Sequence, residues 1–419
     1  MLKKMVRKFR VSLKVFKEEG ILNFIALIFE FLAKYLRFVG QESSKLAHKS
    51  GAIHTNVRYQ DALKADFHHL THSWKGSNKQ SLTFNWIMPP PGKGSGGHLN
   101  IFRFIHYLEA SGHTCRVYIY SQKAKSKISD IKAIMGDSYH SVSAEMIWLD
   151  EADRMVEADG IFATSWETAY AAFNSKLNAQ RFYFVQDFEP YFYPAGSLYT
   201  LAENTYKFGF YGVTAGGWLA QKLSKDYGMS TDYYNFGSDK NIYSWTNDQK
   251  RKEILFYARP YTERRGFEIG VMALDLFHRK HPDFIINMVG YNISSYDIPF
   301  PYKNLKILEI GELNALYNRC AAGLVLSFTN MSLLPLELLA SGTIPVVNDG
   351  DNNRLVSDNQ YIAYSADDPI SLANTLSEIV SRPDIVKHAN LASSSVKQNS
   401  WDESGSKFVS IIERETRKK

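Results

Sequence analysis

In the second half of this chain an apolar run over residues 254–257 gives way to Arg259-Pro260-Tyr261-Thr262-Glu263-Arg264-Arg265-Gly266, and a helix-like stretch follows. Further on, Leu334-Pro335-Leu336-Glu337 opens a second helical stretch that ends at Gly342 and passes into the apolar run 344–347. Strand, arginine loop, helix, strand, strand, Pro-Glu helix and strand form the succession of one doubly wound α/β domain. The ends of these elements carry the chemistry. Guanidiniums at a strand end, beside a helix N-terminus, suit an anion, because a planar fork can hold two phosphate oxygens at once. An acid at a helix start can take the two hydroxyls of a ribose. The competing reading of each motif alone is a capped loop with no ligand.

A chain of 419 residues exceeds one ordinary core and implies two domains. Cys115 and Cys320 lie far apart, each in an apolar stretch, which reads as two buried small hydrophobes with neither disulfide nor metal spacing. Residues 1–40 hold nine basic and three acidic side chains, an excess equal to the formal net charge of the whole chain, +6. The remainder is neutral, which argues against a nucleic-acid surface. The same segment mixes basic and apolar residues, but its longest uncharged stretch, 20–29, is short of the about 20 apolar residues that span a bilayer. No small-residue cleavage site follows, so it does not read as a signal peptide. Two readings stay open: an amphipathic helix lying on an anionic membrane, or a helical hairpin packed on protein.

Residues 41–80 read as a polar connector. Its His68, His69 and His72 are near ligand spacing but have no expected acidic or cysteine partner. Residues 81–240 form a first α/β domain, with strands expected at 82–88, 114–120, 146–149, 160–164, 181–185 and 210–213. After its first strand, Pro89 to His98 is a glycine-rich loop opening a helix, where Gly94, Ser95, Gly96 and Gly97 bring backbone close to an anion or a sugar. The spacing is not the dinucleotide fingerprint, and no acid ends the second strand. It is not a P-loop either. Residues 235–252 connect to a second domain, 253–398, and 399–419 read as a helix able to cross back onto the first domain.

The motifs at Phe256-Tyr257-Ala258-Arg259, Arg265-Gly266, and Pro335-Leu336-Glu337 followed by Ala340 to Val346 resemble those of GT-B glycosyltransferases. Those enzymes consist of two facing Rossmann-like domains. The resemblance is strongest to retaining family 4, and to bacterial rhamnosyltransferases of cell-surface or S-layer glycans. It covers residues 81–415 and leaves the basic N-terminal extension outside. It implies that Arg259 and Arg265 bind the donor diphosphate, with Gly266 beside them in the donor site. Glu337 then matches the second acid of the family's E-x7-E motif and holds the ribose. The first acid of that motif falls at Thr329, and Arg265 stands where the family has lysine; both are departures.

The backbone around Asn330, Ser332, Leu333 and Leu334 is expected to hold the diphosphate, and the base to lie near Gly290-Tyr291 and Gly311-Glu312. On the acceptor side, residues 183–193 run from a strand into acids and aromatics. There Asp187 is the leading candidate to contact the reacting sugars, with Glu189 behind it. Gln186 and Tyr191 line the acceptor, since rings stack on sugars and polar groups bind their hydroxyls. Ser165-Trp166-Glu167 is a weaker second candidate. Asp349-Gly350-Asp351 reads as a polar loop and not as a metal site. The resemblance implies no metal and no cofactor beyond the nucleotide-sugar. It points to dTDP-L-rhamnose as donor, a glycan or lipid-linked acceptor, and a place on the cytoplasmic face of the membrane. Two alternatives stay open: another nucleotide-sugar enzyme such as an epimerase, or a non-catalytic glycan-binding scaffold.

Overall fold

The computed structural model describes residues 57–70, 74–92, 95–121, 127–135, 140–150 and 154–418. The basic segment 1–40, Gly94 and His72 lie outside them.

Two parallel sheets organise the described residues. The first has seven strands: β1 (Thr83–Met88), β2 (Thr114–Ile119), β3 (Glu145–Trp148), β4 (Gly160–Ala163), β5 (Gln180–Val185), β6 (Tyr211–Ala215) and β7 (Thr231–Tyr234). Their spatial order is β3-β2-β1-β4-β5-β6-β7. The second has six: β8 (Glu253–Tyr257), β9 (Ile285–Val289), β10 (Lys303–Lys306), β11 (Cys320–Leu324), β12 (Ile344–Asn348) and β13 (Ala363–Ser365), ordered β10-β9-β8-β11-β12-β13. Every pairing is parallel, so the central strands are covered on both faces and read as near-continuous apolar runs. Winding reverses between β1 and β4 and again between β8 and β11, the positions where loops part at the carboxyl ends of such sheets.

The core of the first domain accounts for much of the chain's aromatic content. Trp86 stacks on Phe162 at 4.0 Å, Phe162 on Phe182 at 4.8 Å, and Phe184 on Tyr234 at 5.5 Å. Phe408, from the helix Trp401–Arg417, packs against Phe104 at 4.6 Å and closes this cluster. That helix runs along the first domain: Tyr107 donates to Asp402 (2.9 Å), His113 meets Glu413 (3.0 Å), and the Trp74 indole donates to the Thr416 carbonyl (2.8 Å). The two cysteines are buried and unpaired.

Two elements differ from the sequence reading. Residues 41–80 contain a short helix, Tyr59–Lys64, whose Asp61 accepts from the Tyr120 hydroxyl (2.9 Å). Strand β7, Thr-Asp-Tyr-Tyr, was not expected; it pairs along β6 with little apolar content of its own. In the histidine-rich stretch His69 does have an acidic partner, Asp66, at 2.8 Å on the surface.

The helix Phe267–Lys280 approaches β8 so closely that a Cβ on Gly270 would lie 2.2 Å from the Phe256 ring. Gly270→Ala gains helix propensity, but it forces the helix off the sheet. We expect a net destabilisation of about 1–3 kcal/mol, read as a lowered urea midpoint.

Candidate active site

Arg259 and Arg265 lie on the loop after β8. A short 3₁₀ turn, Glu263–Arg265, ends at Gly266, whose φ of 57° is left-handed. A Cβ there would come within 2.8 Å of Phe328, so the turn requires glycine twice over. This turn presents Arg264 and Arg265 at the mouth of the helix Phe267–Lys280. Arg265 Nη1 donates to Ser327 Oγ (2.7 Å) and points at the Asn330 carbonyl (3.5 Å). Burial, with Arg264 and Arg259 nearby, draws its pKa down, while Asp187 opposes the shift. Arg259 donates to the Tyr257 hydroxyl (3.0 Å).

The loop after β11 faces these arginines, and asparagines hold it in shape. Asn348 exchanges two bonds with Ser327, its Oδ1 accepting from the Ser327 N–H (2.8 Å) and its amide donating to the Ser327 carbonyl (2.9 Å). Asn353 donates to the carbonyls of Ser327 (3.1 Å) and Asn348 (2.8 Å), and Asn352 to that of Ser327 (2.8 Å). Ser327 Oγ closes the turn onto the Asn330 carbonyl (2.8 Å). The Asp349-Gly350-Asp351 stretch therefore leads into the segment that shapes this loop, and Asp349 itself pairs with Arg354.

Leu333 caps the helix Leu334–Ala340 and Glu337 sits on its first turn. The Glu337 carboxyl lies beside Tyr243 and Tyr317, two phenols whose rings stack at 5.7 Å. Burial pushes its pKa up to about 7, against the opposing pull of Tyr243, Arg103 and Tyr317. A carboxylate accepts ribose hydroxyls better than a carboxylic acid does. Donor KM should therefore rise as pH falls below about 7, and Glu337→Gln should flatten that profile. Linkage gives the opposite slope for the free protein. With its pKa above the unfolded value, this group's contribution is full below the usual carboxylate range and lost as pH rises through about 7.

The acceptor-side candidates gather at the ends of β4 and β5. Gln186 ties three elements together: its amide donates to the Gly97 carbonyl (3.0 Å), its side-chain oxygen accepts from Asn100 (3.2 Å), and its main-chain carbonyl accepts from Asn330 (3.1 Å). Ser95 caps the helix Gly96–Ala110, and its hydroxyl meets His98 Nδ1 at 2.8 Å. Glu189 accepts from the Tyr183 hydroxyl (2.9 Å) and the Trp166 N–H (2.5 Å). Burial, with Glu167 and Asp187 nearby, drives its pKa well above the carboxylate range. Tyr191 is 46% exposed, its ring edge-on to Phe188.

Asp187 is gripped from the other domain. Asn330 N–H, Thr329 Oγ1 and Arg264 Nε all donate to its carboxylate. The sequence motifs did not single out Arg264. The structure thus brings Arg259, Arg265, Gly266, Thr329, Asn330, Asp187 and Gln186 into one cleft where the two sheets' carboxyl ends meet. Tyr291 packs edge-on against Tyr261 of the arginine loop, ring centres 4.9 Å apart; Gly290, at φ 113°, makes the turn after β9. Gly311 is exposed on the first turn of the helix Ile310–Tyr317.

Two doubly wound parallel domains with such a cleft between them define the GT-B fold, and this chain has that fold. It belongs to the WsaF family. The family's N-terminal domain matches residues 118–214 and its C-terminal domain residues 252–377, together just over half the chain. The O-antigen biosynthesis protein RfbC of Myxococcus xanthus is 28% identical over 331 residues. That match takes in 76% of this chain but only 26% of RfbC. Among solved structures, S. aureus TarM superimposes with a TM-score of 0.61 at 7% identity, over 79% of this chain and 99% of TarM. The pneumococcal O-GlcNAc transferase GtfA, bound to UDP and GlcNAc, gives 0.58 at 9% identity, over 80% of this chain and 99% of GtfA. At these identities the likeness is one of fold.

Proposed function

We propose that this protein is a glycosyltransferase of bacterial surface-glycan assembly, moving L-rhamnose from dTDP-L-rhamnose to a growing glycan with retention of configuration. The observation that carries the reading is the convergence of Arg259, Arg265 and the Asn330 loop on one side of a cleft, with Asp187 on the other. Guanidiniums fixed before the reaction neutralise the leaving diphosphate without reorganising, and the site needs no metal for that task. Main-chain N–H groups from Asn330 to Leu334 add to the same charge stabilisation. The departing phosphate oxygen takes the acceptor's proton as the new glycosidic bond forms. Asp187 orients the reacting sugars, and Glu189 shapes the turn that carries it. Glu337 binds the ribose.

The test is nucleoside diphosphate release from dTDP-, UDP- and GDP-sugars, with a rhamnose-terminated acceptor and EDTA present. Release from dTDP-rhamnose, stimulated by acceptor, is expected. Stimulated release from another donor would discard rhamnose and keep transfer. Residues 1–40 would hold the enzyme to the anionic inner face of the membrane, near a lipid-linked acceptor. Deleting them should abolish cosedimentation with anionic vesicles while turnover on a soluble acceptor persists; unchanged cosedimentation would refute the anchor.

A further inference from the structure

The Asp187 carboxylate is 12% exposed and accepts four hydrogen bonds from the described residues. Oδ1 accepts from the N–H groups of Asn330 (3.0 Å) and Phe188 (2.9 Å), and Oδ2 from Thr329 Oγ1 (3.1 Å) and Arg264 Nε (3.3 Å). Three of the four belong to the second domain. A guanidinium, a hydroxyl and a main-chain N–H converging on one point are the makings of a phosphate site. Arg264 is held there from both sides: its guanidinium lies 4.0 Å from the Phe192 ring centre, and its carbonyl accepts from Phe328 N–H (2.9 Å). Arg265 reaches the same loop through Ser327, bringing a second guanidinium alongside. Two polar atoms of the loop, Asn330 Oδ1 and Ser332 Oγ, are buried without a hydrogen-bond partner, and Asn330 is only 1% exposed. The Ser332 hydroxyl can donate to a phosphate oxygen, and the orphaned Asn330 Oδ1 calls for a donor such as a sugar hydroxyl of the same ligand.

We infer that Arg264, Thr329 Oγ1 and the Asn330 N–H form a pocket for the donor's diphosphate, plugged by the Asp187 carboxylate until the donor displaces it. The inference rests on the glycosyltransferase reading above. A diphosphate carries more charge than the single carboxylate and has oxygens for both Arg264 and Arg265, so it takes the donors over. Asp187 is then released toward the acceptor side, and donor binds before acceptor. The domains keep their register during the exchange because the Asn330 amide still bridges to the carbonyls of Gln186 (3.1 Å) and Ala215 (2.8 Å).

Isothermal titration of the full-length protein with dTDP, UDP and inorganic pyrophosphate tests this, using wild type, Asp187→Ala, Asp187→Asn, Arg264→Gln and the Asp187→Ala/Arg264→Gln double variant. Removing the plug should tighten nucleoside diphosphate binding roughly tenfold in Asp187→Ala. Asp187→Asn, which keeps the shape of the side chain, should change it in the same direction by less. Arg264→Gln should weaken binding and erase the gain in the double variant. The ligand-free melting temperature of Asp187→Ala should fall while its ligand-induced rise grows. Wild-type binding with both Asp187 variants equal to it or weaker would overturn the plug and leave the transferase reading standing. Folded proteins that bind no nucleoside diphosphate at all would overturn both.

Discussion

Arg265→Ala should lower kcat by roughly 10²–10³-fold, the usual cost of removing one fixed group that stabilises transition-state charge. The argument rests on how this side chain is held. Arg265 is anchored by Ser327 Oγ at 2.7 Å, its pKa drawn down by burial and by its arginine neighbours, and among the described residues no carboxylate forms an ion pair with it. A cation kept partly dehydrated without a direct ion-pair partner is poised for charge that develops during the reaction. The ground-state diphosphate and the departing one both feel it, the latter more strongly, so kcat should fall further than KM rises. Arg259 donates to the Tyr257 hydroxyl and to no other side chain among the described residues, and its removal should cost less. Arg265→Lys, a point charge without the fork, should recover part of the loss. Steady-state kinetics decide the matter. Turnover within threefold of wild type in Arg265→Ala would remove this residue from the chemistry.

The second large effect is on stability. Arg251 closes the connection between the domains and is buried at 6% exposure, with burial lowering its pKa to about 10. One guanidinium end donates to the Cys320 carbonyl (3.1 Å) and Thr343 Oγ1 (3.3 Å), the other to the carbonyls of Asn247 (3.2 Å) and Ser341 (3.0 Å). These acceptors belong to the linker, to β11 and to the chain just after the Glu337 helix. Arg251→Met matches the length of the stem but leaves several buried oxygens without donors. The expected loss is about 3 kcal/mol or more, seen as a lower urea midpoint at unchanged slope. Because the helix bearing Glu337 ends at this cluster, donor KM should rise as well. A loss under about 1 kcal/mol would mean that water replaces the guanidinium at little cost.

Much of this molecule could be read from the chain. Strands β1, β4, β5, β8 and β12 are short apolar runs between turn signals, because parallel strands covered on both faces need little polar residue. The glycine loop, the arginine turn and the Pro-Glu helix fall at strand ends, where a doubly wound fold puts its ligands. Strand β7 escaped because Thr231-Asp232-Tyr233-Tyr234 draws its order from pairing with β6 and from the C-terminal helix, whose Arg414 pairs with Asp232. The asparagines at 348, 352 and 353 read as loop composition, yet their amides fix the turn after β11; nothing local in sequence separates a structural amide from a solvated one. Arg264 and Arg265 are adjacent and alike in sequence. Only the left-handed Gly266 that ends their turn, and the domain opposite, send one to Asp187 and the other to Ser327. Asp187 was singled out from the sequence as a candidate. Its grip by the second domain was not legible there, since a contact across 142 residues leaves no trace in local pattern.

The most direct test of the central claim is the mass of the acceptor. The full-length protein, dTDP-L-rhamnose and a rhamnose-terminated oligosaccharide are incubated together, and the oligosaccharide is analysed by mass spectrometry. The account predicts a gain of one deoxyhexose residue, abolished by boiling the protein and strongly reduced in Arg265→Ala. An acceptor unchanged in mass with every dTDP-, UDP- and GDP-sugar and every glycan acceptor supplied, while the folded protein still binds nucleoside diphosphate, would contradict glycosyl transfer as its activity.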